Sequence, residues 1–329
     1  MSQGDGERPP DRIAGRPLDD AVEAVVAEDD VRDPSEVRGT LSHVTDEEGM
    51  VTTDAVDEAL SYLSNVVSTP ETRTELAAIE LSDAREAAEP VADLDTVGAR
   101  LDAFTARLDA VETRLPELGA DLRTLIDDAA HDDVYETAAE IRRLTVAANR
   151  VQGAADELQV DIEEFERWLA DPDVRFEAFA EELDALDGSL ADLADAVESV
   201  ADAERGEHAV DGAEPAVAWA DAALRHRSVG PLFPDLRAEL ADLRTWNDRE
   251  GIDAADRAAE LGRRLDDLHD RWRATGDRLD DVARPAWCER FGDRLSAFET
   301  TLDALEPPVD WGAVQTELDE HRAAIDEPT

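Results

Sequence analysis

Few side chains in this chain are placed for chemistry. Cys288 is the only cysteine, so it has no internal disulfide and no CxxC partner. It sits between Trp287 and Phe291 on an apolar helical pattern, which predicts a packed core thiol. A nucleophile would need a base beside it, and the six histidines are scattered along the chain, none near Cys288. His269, in LDDLHDR, shares a helical side with Asp266 and Asp270. One imidazole with carboxylates gives no selective metal geometry, so a solvated helix face is expected. Arg225, His226 and Arg227 form the densest positive spot, before the segment VGPLFP. Such a spot suits an acidic partner or an anion, but two arginines at a helix end also complement the helix dipole. There is no Gly-rich phosphate loop, GxSxG, HExxH or zinc spacing. The expectation is therefore no catalytic residue, metal site or cofactor. Four residues remain as candidate partner contacts: Trp168 and Trp311, each near a helix end or a proline break, with Arg225 and Arg227.

The net charge of -51, from 83 acidic and 32 basic residues, narrows the classes further. Every basic residue is arginine; lysine is absent. Exposed like charges about 4 Å apart repel by about 1 kcal/mol in water. At about 1 M salt the Debye length shrinks to about 3 Å and most of that repulsion vanishes. A chain so acidic along its whole length is expected in a salt-adapted cytoplasm. No basic footprint offers a surface for nucleic acid. An anionic membrane would repel the chain, and no apolar run approaches the roughly 18 residues of a membrane span. MSQGDGERPPDR has no signal-peptide core.

The elements that must position these residues are legible as apolar seams with alternating spacings of 3 and 4. One runs Leu94, Val97, Leu101, Phe104, Leu108, Val111, Leu115, Leu118, Leu122, Leu125. A second includes Val134, Ile141, Leu144, Ala148, Val151, Ala155, Leu158, Ile162 and Phe165. A third runs Phe176, Phe179, Leu183, Leu186, Leu190, Leu193, Val197, Val200. Breaks at 127–133 and 171–173 separate helices of roughly 30 to 37 residues, about 45 to 55 Å long. Short connections favour antiparallel neighbours, which predicts a three-helix antiparallel coiled-coil bundle over 91–203. Matching small against large residues places Phe104 opposite Ala155, Val111 opposite Ala148 and Leu118 opposite Ile141. A second pairing then sets Ala155 opposite Leu186 and Ala148 opposite Leu193, and Arg100 falls beside Asp161. Pro116 lies inside the first seam and predicts a kink.

Residues 1–16, rich in Gly, Pro and charge, read as a disordered tail. Residues 17–90 read as short helices: one carrying Val22 and Val25, one opened by Asp33-Pro34, and one carrying Val56, Leu60, Leu63 and Val67, capped by Thr53 or Asp54. TDEEGMVTT reads as a turn. Thr69-Pro70 reads as the start of a further helix holding Leu76 and Ile79. Residues 204–214 read as a linker, and 215–329 as a second helical bundle holding five of the six tryptophans. There the seams run Leu261, Leu265, Leu268, Trp272, Leu279, Val282 and Trp287, Phe291, Leu295, Phe298, Leu302, Leu305. VGPLFP reads as an apolar loop, and a last helix carries Trp311, Val314, Leu318 and Ile325.

The run VDEALSYLSNVVSTPETRTELAAIELSDAREAAEPVADLDTVGARLDAF is similar to a haloarchaeal family labelled halo transducer protein, over about residues 50 to 130. The resemblance implies a link to taxis signalling. The chain departs from membrane transducers in having no spanning segment and no single very long hairpin. The residues alone point to an all-α, cytoplasmic, non-catalytic interaction or scaffold protein with protein partners and neither nucleic acid nor membrane insertion. An accessory of a chemotaxis-like system and a ligand-sensing or enzymatic C-terminal bundle are the alternatives. The same seams can be completed between copies of the chain, so a homo-oligomer stays open.

Overall fold

The computed structural model describes residues 12–29, 31–129, 133–205 and 214–326, and apart from two short strands its regular structure is helical. The chain divides into two compact units. One combines Met1–Ala87 with Leu101–Glu166, the other Ala88–Arg100 with Arg167–Thr329. No helix among the described residues is long and apolar enough to cross a membrane.

The first unit opens with a small cap. Strand β1 (Arg16–Pro17) pairs antiparallel with β2 (Met50–Val51), and the turn before β2 closes through Gly49 at φ +80°. Only glycine adopts that backbone cheaply. Between the strands lie α1 (Leu18–Val26) and α2 (Pro34–Leu41). Asp33 caps α2 by accepting from the Ser35 amide at 2.7 Å, with Pro34 at the first helical position as the sequence suggests. The expected tail needs correction at one end. Residues 1–11 lie outside the described residues, but Ile13 is buried in the core and Arg16 is paired.

Three long helices follow: α3 (Thr53–Ala88), α4 (Asp95–Asp128) and α5 (Val134–Ala170). Thr52, not Thr53 or Asp54, caps α3, its hydroxyl accepting from the Ala55 amide at 3.1 Å. Thr69-Pro70 starts no new helix: α3 runs unbroken through Pro70, which is buried. Hydroxyls on either side of it back-bond one turn up the helix, Thr69 donating to the Asn65 carbonyl and Thr74 to that of Pro70. Without a restart there, Leu76 and Ile79 stay on an exposed side, and Thr74, Ala77 and Leu81 are buried instead. Helix α4 likewise continues through Pro116.

Within this unit, Arg107 meets Asp161 at 2.6 Å, Arg143 meets Asp121 at 2.9 Å, and the Phe104 and Phe165 rings lie 5.4 Å apart. Helices α4 and α5 are therefore antiparallel. Arg73 pairs with Asp156 at 3.3 Å and Gln159 with Glu80 at 3.0 Å, so α3 runs parallel to α5. Val56, Leu63 and Val67 share one core with Val111, Leu118, Leu125, Ile141, Leu144 and Ala148. The third helix of this core is thus α3, not the helix after Pro172. The register also differs: Asp161 takes Arg107 rather than Arg100, a slip of one heptad, and Phe104 meets Phe165 rather than Ala155. A seam of equivalent leucines fits either register, and the aromatic and charged pairs decide between them.

The second unit holds α6 (Pro172–Arg205), α7 (Pro215–Val229), α8 (Leu232–Glu250), α9 (Ala255–Val282), α10 (Pro285–Asp303) and α11 (Trp311–Asp326). The seam of α6 is covered here: Leu193, Val197 and Val200 join Trp219, Leu279, Phe298 and Leu318 in one core. This replaces the expected pairings of Leu186 and Leu193 with Ala155 and Ala148. Of the expected linker, residues 206–213 lie outside the described residues. VGPLFP is no loop beyond Gly230-Pro231, because its LFP is the first turn of α8, where Pro234 breaks no intrahelical bond. Cys288 is exposed, correcting the core-thiol expectation. The buried face of α10 follows Trp287, Phe291, Leu295 and Phe298, and the next position along from Trp287 turns about 100° away from it.

Candidate functional site

The second unit contains a cavity of about 510 Å³ bounded by residues of α7, α8, α9 and α10 and the segment before α11. Its wall carries a run of rings from three helices. His226 on α7 stacks on Trp272 of α9 at 4.7 Å and 4°. His269, one turn before Trp272, stacks at 5.5 Å, and Phe233 of α8 lies 4.4 Å from His269. The pair from α7 and α9 is locked twice. The Trp272 indole donates to the His226 carbonyl at 2.9 Å, and the His226 Nε2 lies 3.0 Å from the Trp272 carbonyl. A carbonyl only accepts, so Nε2 carries the proton and Nδ1 is an acceptor. Gly276 makes this fit, since a Cβ there would stand 2.8 Å from the His226 ring.

Both imidazoles are held neutral. Burial is the main cause at His226, with the Arg227 charge adding to it, and the pKa falls below 6.5. At His269 burial again leads, followed by Arg237 and Arg273. His269 Nδ1 lies 2.9 Å from Arg237, which also meets Asp266 at 2.9 Å. Asp266 is thus engaged by an arginine rather than grouped with His269 around a cation. No group of three or more His, Cys, Asp or Glu arranged for a metal occurs among the described residues.

The remaining charges around the cavity are Arg227, Asp280, Glu299 and Asp303. Arg227 donates to the Ala223 carbonyl at 3.1 Å and to Glu299 at 3.4 Å. The residues lining the cavity include no Ser, Thr, Cys or Lys. The wall can therefore stack, hydrogen-bond and balance charge, and it offers no hydroxyl, thiol or amine nucleophile.

The sequence-predicted contacts fall apart in space. Arg227 lines the cavity. Arg225 is exposed and paired with Asp221 at 2.8 Å along the same helix. Trp311 is half-buried, its indole donating to Asp235 at 3.0 Å, while the same carboxylate accepts from the Val309 amide at 3.1 Å. Trp168 is no surface residue. It is buried in the second unit, edge-on to Trp246 at 5.2 Å. The Arg100 guanidinium lies 4.2 Å over Trp168, and that of Arg175, wholly buried, lies 3.9 Å over Trp246. Arg175 is fastened to the Leu169 carbonyl at 3.0 Å and to Glu250 at 2.5 Å.

Beside this ladder Arg100 meets Glu239 at 3.0 Å and Glu182 at 3.6 Å. Burial, with the charge of Glu239 next, pushes Glu182 up to about 7. Glu239 is raised too, mainly by burial. The first turn of α4 is tied to the same unit through the Thr96 amide, which donates to Asp242 at 2.9 Å. The sequence shows His269 and Trp272 one helical turn apart and His226 beside Arg227. It carries no signal that α7 would bring His226 onto Trp272.

Comparison with protein-family models, curated proteins and solved structures returned no match, so the chemistry of this site rests on its own residues.

Proposed function

We propose that the chain is a non-catalytic binding protein of a salt-adapted cytoplasm whose C-terminal unit holds a small ligand. The observation that carries this is the ring-walled cavity of about 510 Å³, in which two neutral imidazoles and two guanidiniums border apolar wall. Its size falls in the range of about 300–1,000 Å³ in which small-molecule sites occur. Trp219 and Trp272 line it, so an occupant changes tryptophan emission. The test exposes the chain, in molar KCl, to the small-molecule pool of its host and reads emission and retained compounds by mass spectrometry. A retained compound lost from Trp272→Leu is expected. An empty cavity across the whole pool removes this reading.

A second reading, the scaffold, is favoured by one observation in the first unit. Tyr62, Leu76 and Ile79 on α3 and Val146 and Val160 on α5 are exposed large apolar residues. Tyr62 and Leu76 are two heptads apart, as are Val146 and Val160. Such positions suit a partner helix. Capture from cells in molar KCl, with carboxylate-reactive cross-linkers because the chain has no lysine, is expected to recover a protein that Ile79→Glu loses. An empty capture sinks the scaffold and leaves the cavity untouched.

A further inference from the structure

The charges around the cavity are unequal once existing pairings are counted. Arg237 is engaged by Asp266 and His269, and Arg227 by Glu299 and the Ala223 carbonyl. Asp280 and Asp303 line the same cavity, and neither has an ion pair among the described residues. The two imidazoles add no positive charge. What remains is negative potential beside aromatic rings.

We propose that the ligand is an organic cation, a quaternary ammonium or guanidinium group on an apolar body, held against the Trp219 and Trp272 wall with Asp280 and Asp303 as counter-charges. This rests on the binding reading above and deepens it. An aromatic face attracts a cation through its quadrupole, by about 0.5–1 kcal/mol when exposed and about 2 or more when desolvated. Molar salt sharpens the choice of cation. With a Debye length of about 3 Å, carboxylates alone hold a hydrated inorganic ion weakly. A weakly hydrated organic cation keeps its contact with the rings, because that contact is short-ranged and shielded from solvent. An anion would have to displace Glu299 from Arg227 and then face Asp280 and Asp303.

The test uses the full chain in molar KCl at constant ionic strength. Choline and methylguanidinium are titrated against tryptophan emission, with 3,3-dimethylbutan-1-ol as the uncharged isostere of choline. At least one cation is expected to give a saturable change, and the alcohol at least tenfold weaker binding than choline if choline is the one that binds. Asp280→Asn with Asp303→Asn, at two exposed positions, is expected to weaken the cation at least tenfold with an unchanged circular dichroism spectrum. Trp272→Leu is a second variant with the same expected loss. No saturable response to either cation overturns the proposal. So does an alcohol that matches choline, or binding indifferent to both aspartates. If the cellular pool yields an anionic or neutral ligand instead, the cation assignment falls while the binding reading stands; an empty cavity removes both.

Discussion

The two units solve the same packing problem with different residues. The first closes α3, α4 and α5 mainly over valine, leucine, isoleucine and alanine, with one phenylalanine pair and with arginine–carboxylate pairs at its edges. The second buries tryptophans and carries charge into its interior, including a wholly buried arginine between Trp246 and Glu250. Small branched and aliphatic side chains interdigitate with few voids. Flat rings from three helices mesh less completely, and the cavity lies where they meet. The difference teaches where to look for binding: in the unit whose core is aromatic and polar, not in the one whose seams are most regular.

The largest expected effect would break the comparison altogether. Diluting KCl well below 1 M restores repulsion among the acidic residues that outnumber the basic ones throughout the chain, so the helical signal of both units should collapse. Unchanged ellipticity in dilute buffer would show that the charge has another purpose. Next come core truncations. Leu144→Ala should cost about 2–5 kcal/mol and Phe298→Ala about 3–5 kcal/mol. Hydrogen exchange on the full chain should show each loss of protection mainly inside its own unit; equal spreading over both would dissolve the division.

Arg175 separates packing from charge. Arg175→Ala leaves a cavity against Trp246 and should cost about 3 kcal/mol. The double variant Arg175→Met with Glu250→Gln removes both charges, nearly keeps the volume and leaves the Trp246 indole an acceptor, so it should stay within about 1 kcal/mol of the parent, because replacing a buried ion pair by uncharged residues of like shape is often neutral. A large loss in the double variant, read by denaturant unfolding, would make the ion pair itself the stabilising element.

Acid and base should pull the second unit in opposite directions. His226 and His269 have pKa values below 6.5, so the unfolded chain binds more protons than the folded one as pH falls. Their contribution is whole above that value and lost below it. Glu182 is raised from 4.5 to about 7, so its contribution is whole below 4.5 and fades as pH rises through about 7. Glu182→Gln should therefore raise the melting temperature at pH 8, and a variant that melts like the parent there would count against a buried, proton-sharing carboxyl. The smallest effect expected is Thr52→Ala, about 1 kcal/mol from the lost cap of α3, with fraying confined to the first unit.

Much of this was legible in the residues. Periodicity and the breaks at 127–133 and 171–173 place the facing ends of α4, α5 and α6, and Pro215 marks a first turn. Pairing was not legible. Leucine seams specify a helical face but neither which helix covers it nor in which register, so they fit α6 against α5, with Arg100 beside Asp161, as readily as the pairing observed. Pro70 misled because proline usually marks a helix start, and only burial in a long helix keeps it interior. Of the site, Arg227 shows as part of the positive spot, whereas the sequence neighbours of His269 are carboxylates and its neighbours in the fold are rings. Tertiary contact between α7, α8 and α9 builds the rest, and no local pattern announces it.

Gly276 leaves a trace that can be sought among descendants of this chain. A methyl group at that position and an imidazole at 226 exclude each other. The two sites should therefore covary, with glycine retained wherever histidine is, and any lineage that enlarges the one should have shrunk or reoriented the other.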